Sequence, residues 1–249
     1  MAERSPVQIA EGVHRLGTRL VSWFAVEDRG RLTIVDCGLP SYWDQVEPGL
    51  AAIGHSLSDV EAIVLTHGDG DHVGFSERLR STAGVPVLIH RADERIATTE
   101  AHKETEKGIA GYLVRPAAWR LMAHFMRGGG LKPPPVAEVT TFEDGQVLDV
   151  PGSLRVVHTP GHTDGHCAIH FERSGVLFVG DALCTRNPLT GRMGAQVLPR
   201  ALNNSTDGAL RSLDAIEATG AAILAVGHGD PWTSGAAEAV AAARAAGPS

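Results

Sequence analysis

Cysteine is scarce in this chain: Cys37, Cys167 and Cys184 are the only three among 249 residues. An odd number with no C-x-x-C pair argues against a disulfide framework and for a reducing compartment. No run approaches the roughly 20 apolar residues that a membrane-spanning helix needs. Between Met1 and Gly17, the charged Glu3, Arg4, Glu11 and Arg15 break up short apolar groups, so the apolar stretch of a secretory leader is missing. Basic excess is missing too, with 22 Lys and Arg against 29 Asp and Glu, a net charge of −7 when His is neutral. Those cations are scattered rather than clustered, which argues against a phosphate backbone as partner. No G-x-S-x-G elbow offers a serine nucleophile, and no sequence repeat stands out. The absences together leave a soluble, cytoplasmic protein acting on a small molecule, with no nucleic acid and no membrane involved. A homodimer is an open expectation.

The length suits one domain over 1–249 with a sizeable core. Short segments of β character at 7–10, 14–16, 21–26 and 31–35 open the chain. A helix is predicted over 41–53, with Trp43, Val46 and Leu50 on one face and Pro48 working against its second half. A strand at 62–65, a helix over 71–83 and a strand at 85–90 continue an α/β layer. A second strand-rich block is read at 145–150, 154–158, 167–171 and 175–179, followed by a helix at 205–219, a strand at 221–226 and a closing helix at 234–246.

Between the blocks lies an insertion, roughly 98 to 135. Its middle, 109–125, carries Leu113, Ala117, Leu121 and Phe125 at i+4 spacing, and it ends in Gly128-Gly129-Gly130 followed by Pro133-Pro134-Pro135. A packing helix with an exposed connection is one reading; a lid over an acyl-type substrate is the other. A second candidate wall is the aperiodic stretch 183–202, where Arg186 and Arg192 could pair with a substrate carboxylate.

Three short stretches carry chemistry. They are Thr66-His67-Gly68-Asp69-Gly70-Asp71-His72, then Thr159-Pro160-Gly161-His162-Thr163, then Gly180-Asp181 with the later Gly227-His228-Gly229. Each follows an apolar, strand-like run, where packing gives no reason to gather imidazoles and carboxylates. Divalent cations do give one, because they want neutral imidazole and ionised oxygen ligands brought together from several loops. Asp71 also stands where a helix N-cap is favoured, so capping competes for it. His158 and His166 flank the second stretch and could orient a ligand. Alone, each reads better as a surface or satisfied core histidine, as do His14, His55, His90, His102, His124 and His170.

This set resembles the metallo-β-lactamase superfamily, whose signature is T-H-x-H-x-D-H with a later His, a bridging Asp and a final His. The resemblance runs from the Val35-Asp36-Cys37-Gly38 turn to Gly227-His228. It implies an α/β (α+β), four-layer αββα sandwich with a dinuclear site at one edge of two sheets, to which this chain adds the helical insertion read above between the halves. It further implies that His67, His162 and position 69 hold one metal, that Asp71, His72 and His228 hold the second, that Asp181 bridges, and that Asp36 stands behind the site. Two divalent ions are expected, zinc first.

One position departs from the pattern. Asp69 stands where the family has its second His, so three Asp side chains face the two cations. Extra negative charge weakens Lewis acidity, and harder oxygen ligation shifts preference toward iron or manganese. The flavodiiron branch is similar in carrying a carboxylate, a Glu, at that position. Alternatively the first site is weak and a mononuclear centre works at Asp71, His72 and His228, or Asp69 swings free as a general base.

The simplest chemistry is hydrolysis, with Asp71 and Asp69 as the candidate catalytic carboxylates. Solvent on a divalent cation deprotonates when its pKa falls to about 7, against roughly 15.7 in bulk, and the hydroxide attacks a carbonyl. Lactones, esters, thioesters, β-lactams and phosphoesters are candidates, a small ester or lactone first. Too little chain follows His228 for the C-terminal helical domain of the glyoxalase II branch, and no β-CASP-type domain is appended. The rivals are an iron redox protein related to the flavodiiron branch, without its flavodoxin domain, and a metal-binding protein that binds a ligand without turning it over.

Overall fold

The computed structural model describes residues 5–99, 101 and 103–248, so His102 lies outside the described residues. The first block forms β1 (Val7–Ala10), β2 (Val13–Gly17), β3 (Ser22–Asp28), β4 (Arg31–Val35), α1 (Trp43–Ala52), β5 (Val60–Val64), α2 (Gly70–Val73), α3 (Ser76–Ala83), β6 (Val87–His90) and α4 (Glu94–Thr98). The insertion supplies α5 (Pro116–Gly128), and β7 (Thr140–Phe142) follows it. The second block contains β8 (Arg155–His158), β9 (Cys167–Phe171), β10 (Val176–Gly180), β11 (Cys184–Arg186), β12 (Met193–Gln196), α6 (Thr206–Ala218), β13 (Ile223–Val226) and α7 (Ala236–Ala246).

β1 to β7 form one sheet in chain order, and a second sheet runs β13-β10-β9-β8. Alternation along each strand explains how the layers stack. In β3, Phe24 and Val26 join Val35, Val64, Ile169 and Phe178 in a core between the two sheets. Their neighbours Trp23 and Ala25 point the other way, against Val46 and Leu50 of α1 and Leu79 of α3. The second sheet does the same, burying Leu177, Val179 and Leu224 beneath Leu213 and Ile216 of α6 and Val240 of α7. Both faces of both sheets are covered, which is why the strands read as apolar runs. The result is a four-layer αββα sandwich. No described helix is long and apolar enough to cross a membrane.

Several sequence expectations need correction. The helix expected over 71–83 is two helices, α2 and α3, broken at Gly74. The backbone there runs against Cys37 and Gly38, so a Cβ would collide with the Gly38 carbonyl, and this close approach outweighs helix continuity. Pro48 is accommodated inside α1. The segment at 145–150 is not a strand; Val147 makes a single bridge to Arg155. The insertion helix starts only at Pro116, at its first turn, where a missing N–H costs nothing. The aperiodic stretch after Leu183 folds into the β11–β12 hairpin, with Cys184 opposite Gln196.

Candidate metal centre

Strand direction brings the three stretches to one edge. β4 and β5 are parallel, so the turn at Asp36 and the loop at His67 leave the first sheet side by side. In the second sheet β13 runs parallel to β10, and β8 and β10 are both antiparallel to β9. His162, Asp181 and His228 therefore all leave the C-terminal ends of strands that point the same way. Backbone bonds join the two edges: Cys167 donates its N–H to the Thr66 carbonyl at 2.8 Å, and Ser22 to the Gly227 carbonyl at 3.0 Å.

The predicted side chains converge there. Ligand atoms of His67, Asp69 and His162 lie within 4.8 Å of one another, as do those of Asp71, His72 and His228, and those of His67, His72 and Asp181. Asp181 stands between the two halves, with its carboxylate 3.4 Å from His162 Nε2, 3.3 Å from His228 Nε2 and 3.4 Å from His72 Nε2. Four polar atoms in this cluster are buried with no hydrogen-bond partner among the described residues: His67 Nε2, Asp71 Oδ2, His72 Nε2 and Asp181 Oδ1. A buried polar atom without a partner costs roughly 1–3 kcal/mol. Such atoms fit a divalent cation: His67, His72 and Asp181 offer ligand atoms within 4.8 Å of one another, and Asp71 does so with His72 and His228. Gly227 keeps the space beside Asp181 and His72 open, because a Cβ there would stand 2.7 Å from Asp181 Oδ1 and 2.8 Å from His72 Cε1.

Each imidazole is held so that Nε2 faces the cluster. His72 donates its Nδ1–H to Asp36 Oδ2 at 2.8 Å. His228 donates likewise to the Leu20 carbonyl. Asp36 also accepts from the Thr66 hydroxyl at 2.9 Å, which leaves the Thr66 oxygen to accept from His67 Nδ1 at 3.0 Å. His162 Nδ1 donates to Asn203 Oδ1 at 3.2 Å, and the Asn203 amide is oriented by its own donation to the Leu198 carbonyl at 2.9 Å. Fixing the outer nitrogen fixes the tautomer and leaves a lone pair for a cation.

Electrostatics point the same way. Burial, with help from His72 and His162, holds the His67 imidazole well below its ordinary range. Burial alone would also push His228 down, yet Asp181 and Asp71 outweigh it and raise the ring to about 9. His72 is raised in the same manner, with Asp36, Asp181 and Asp71 overcoming burial. The Asp71 carboxyl is pushed up by burial, against the pull of His72 and His228. Burial would raise Asp181 as well, but His228, His72 and His162 hold it well below the carboxylate range. The carboxylates around His72 and His228 thus favour positive charge at this end of the cluster.

Some expectations shift. Asp71 does not cap its helix: the N-cap position of α2 is Asp69, and no side-chain capping bond forms. His166 is buried and accepts the Asp181 N–H on its Nε2 at 3.0 Å, so it positions that residue's backbone. His158 instead stacks on His90 at 4.5 Å. Arg192 donates to the Ala246 carbonyl, and neither it nor Arg186 lines the cavity beside the centre. Three residues escaped sequence reasoning. Asp93 accepts from Gly68 N at 2.9 Å, Thr163 Oγ1 at 2.7 Å and Gly165 N at 2.8 Å, tying the first two stretches together. Asn203 orients His162. Lys103 reaches Asp69 and His162, with Nζ 2.5 Å from Asp69 Oδ2. Burial favours neutral Asp69, but Lys103 and His162 together hold its carboxyl far below the usual range. None of the three has a motif around it.

A cavity of about 220 Å³ opens over this cluster. Asp69, Asp71, His162, Asp181 and His228 form its polar end, and Ala118, Leu121, Met122 and Phe125 of α5 form an apolar wall.

Known proteins resemble this chain along the same lines. The family model of the metallo-beta-lactamase superfamily matches residues 16–228. A probable metallo-hydrolase, YflN, from Bacillus subtilis (strain 168) is 24% identical over 246 residues, covering 91% of this chain and 87% of that protein. A hydroxyacylglutathione hydrolase of Xanthomonas axonopodis pv. citri (strain 306) is 31% identical over 182 residues, which are 73% of this chain but 52% of that protein. The crystal structure of a metallo-beta-lactamase family protein from Thermus thermophilus superposes with a TM-score of 0.65 at 27% identity, over 94% of this chain and 80% of that one.

Proposed function

The chain belongs to the metallo-beta-lactamase superfamily, and from its centre and cavity we propose that it is a metal-dependent hydrolase of small carboxylic esters or lactones. One observation carries the substrate class: the apolar face of α5 forms a wall directly over the Asp and His cluster. A volume of about 220 Å³ lies below the roughly 300–1,000 Å³ of drug-sized sites, so it suits a small acyl or ring portion. Away from its polar end the lining is apolar, with Ile109, Leu121, Met122, Phe125, Leu131 and Leu202, which favours a neutral substrate portion there over a carboxylate or phosphate. Thioesters and β-lactams carry the same carbonyl and are the next candidates.

A divalent cation, zinc first and iron or manganese next, would supply Lewis acidity toward the carbonyl oxygen and acidify solvent. The residues that would hold it are Asp71, His72 and His228 with Asp181, while His67, Asp69 and His162 form a second candidate set. Asp36, the Leu20 carbonyl, Thr66 and Asn203 keep the rings aimed. Asp71 lines the polar end of the cavity and is the carboxylate we assign to take up a proton during attack. Asp69 suits that role poorly, since a carboxylate held so low by Lys103 and His162 is a weak base. Phe125, Leu121 and Met122 would exclude water from the acyl group. The same reading makes 1–249 one domain, cytoplasmic, acting on a small molecule rather than on nucleic acid or a membrane.

The test is elemental analysis of protein purified without added metal, beside a panel of chromogenic esters, lactones, thioesters and β-lactams. Ester or lactone turnover that chelation abolishes and zinc restores is the expected result. Bound iron with oxygen consumption under a reductant, and no turnover of the panel, would replace this reading with a redox one.

A further inference from the structure

The two halves of the centre differ by one basic side chain. Lys103 comes from the segment after α4, and its Nζ lies 2.5 Å from Asp69 Oδ2 and 2.5 Å from His162 Nε2. Its side chain is only 9% exposed. Those two acceptor atoms are 3.0 Å apart. Asn203 accepts from His162 Nδ1, so Nε2 is the ring nitrogen turned toward Asp69, and a cation beside both atoms offsets the charge of that carboxylate. The Lys103 ammonium is in that position. A divalent ion bound to the same two atoms would need roughly 2.0–2.2 Å to each, so ammonium and metal compete for one space.

The segment that carries Lys103 is pinned to the same framework. Glu106 donates its N–H to the Asn203 carbonyl at 2.9 Å, accepts from the Thr206 N–H at 2.7 Å, and pairs with Arg200 at 3.1 Å. Asn203 thus orients His162 on one side and anchors the lysine segment on the other. The Asp71, His72 and His228 half has no such substitute: Asp71 Oδ2, His72 Nε2 and Asp181 Oδ1 stay without hydrogen-bond partners among the described residues, as does His67 Nε2, and His67 can be grouped with His72 and Asp181, ligand atoms within 4.8 Å, as well as with Asp69 and His162.

We propose that Lys103 is the resident cation of the Asp69–His162 half, so that the protein binds one divalent ion, at Asp71, His72 and His228 with Asp181. The carboxylate at 69 and the lysine at 103 are then a matched pair, and the departure from an imidazole at 69 has a partner elsewhere in the chain. This rests on the metal-dependent reading above.

Zinc titration of chelator-treated protein, counted by elemental analysis after desalting, tests it. Wild type and Lys103→Arg are expected to retain one equivalent and Lys103→Met two, the second zinc binding about a hundredfold more tightly than in wild type once the buried ion pair is gone. Should Lys103→Met lose its cooperative melt, Glu106→Ala loosens the same segment from outside the centre and should admit a second equivalent at higher zinc. Two equivalents in wild type, or one in every variant, would overturn the role of Lys103 and leave the hydrolase reading standing. No zinc in any variant, with all folded, would overturn the metal-dependent reading itself.

Discussion

The Asp71–His72–His228 half of the centre and the Asp69–His162 half are made of the same residue types but are held differently. The first grows from sheet edges: His72 is clamped by Asp36, His228 by the Leu20 carbonyl, and Asp71 is 5% exposed. The second faces the insertion: the Asp69 side chain is 21% exposed, and the lysine segment reaches into it. Rigid strand ends leave buried acceptors that demand a cation from outside. A half bordered by a surface segment can draw its charge from the chain. On the proposal for Lys103, ligand type alone would not fix how many ions such a ligand set holds; what lies beside it would.

The largest expected effect breaks the first half outright. His72→Ala or Asp181→Ala should remove bound metal and drop turnover to background, with elemental analysis and ester hydrolysis measured on the same sample. Normal metal content in the Asp181 variant would count against its position between the halves. A smaller effect comes from behind the ligand: Asp36→Asn should weaken metal binding about 10- to 100-fold, read by competition with a chromogenic chelator. An unchanged affinity would mean that His72 does not need its clamp. Phe125→Ala probes the insertion side, where loss of apolar contact should raise KM about tenfold for esters with an apolar acyl group and leave kcat nearly unchanged.

The smallest effect separates protons from metal. His228 is raised to about 9 in the folded protein from an ordinary 6.5. A raised folded pKa contributes stability below the unfolded value and loses it as pH climbs through the folded one. Metal-free protein should therefore lose about 5 °C of Tm between pH 6.5 and pH 9. Metal-loaded protein should hold its Tm across that window, because the cation replaces the proton. Parallel curves for the two forms would remove His228 from the metal's ligands.

Much of this was legible from the residues alone. The strand at Arg31–Val35 and the one at Cys167–Phe171 were found to the residue, since runs buried on both faces are apolar and bounded by turn residues. His67, Asp71, His72, His162, Asp181 and His228 stood out because each follows such a run. The break at Gly74 was not legible: helix periodicity continues through it, and the reason for stopping is Gly38, which lies far back in the chain. Asp93, Asn203 and Lys103 were invisible for the same reason. An aspartate that accepts from two loops looks, in sequence, like any aspartate at the start of a helix.

By itself the sequence determined which atoms could bind a cation, because ligand chemistry resides in side-chain type and each ligand sits within a few positions of a strand end. Only the tertiary structure decided how those atoms are aimed and what competes for them. A tautomer is set by an acceptor such as Asp36 or Asn203, and a charge is supplied by a lysine such as Lys103. Such partners are chosen by distance in space, which no spacing along the chain encodes.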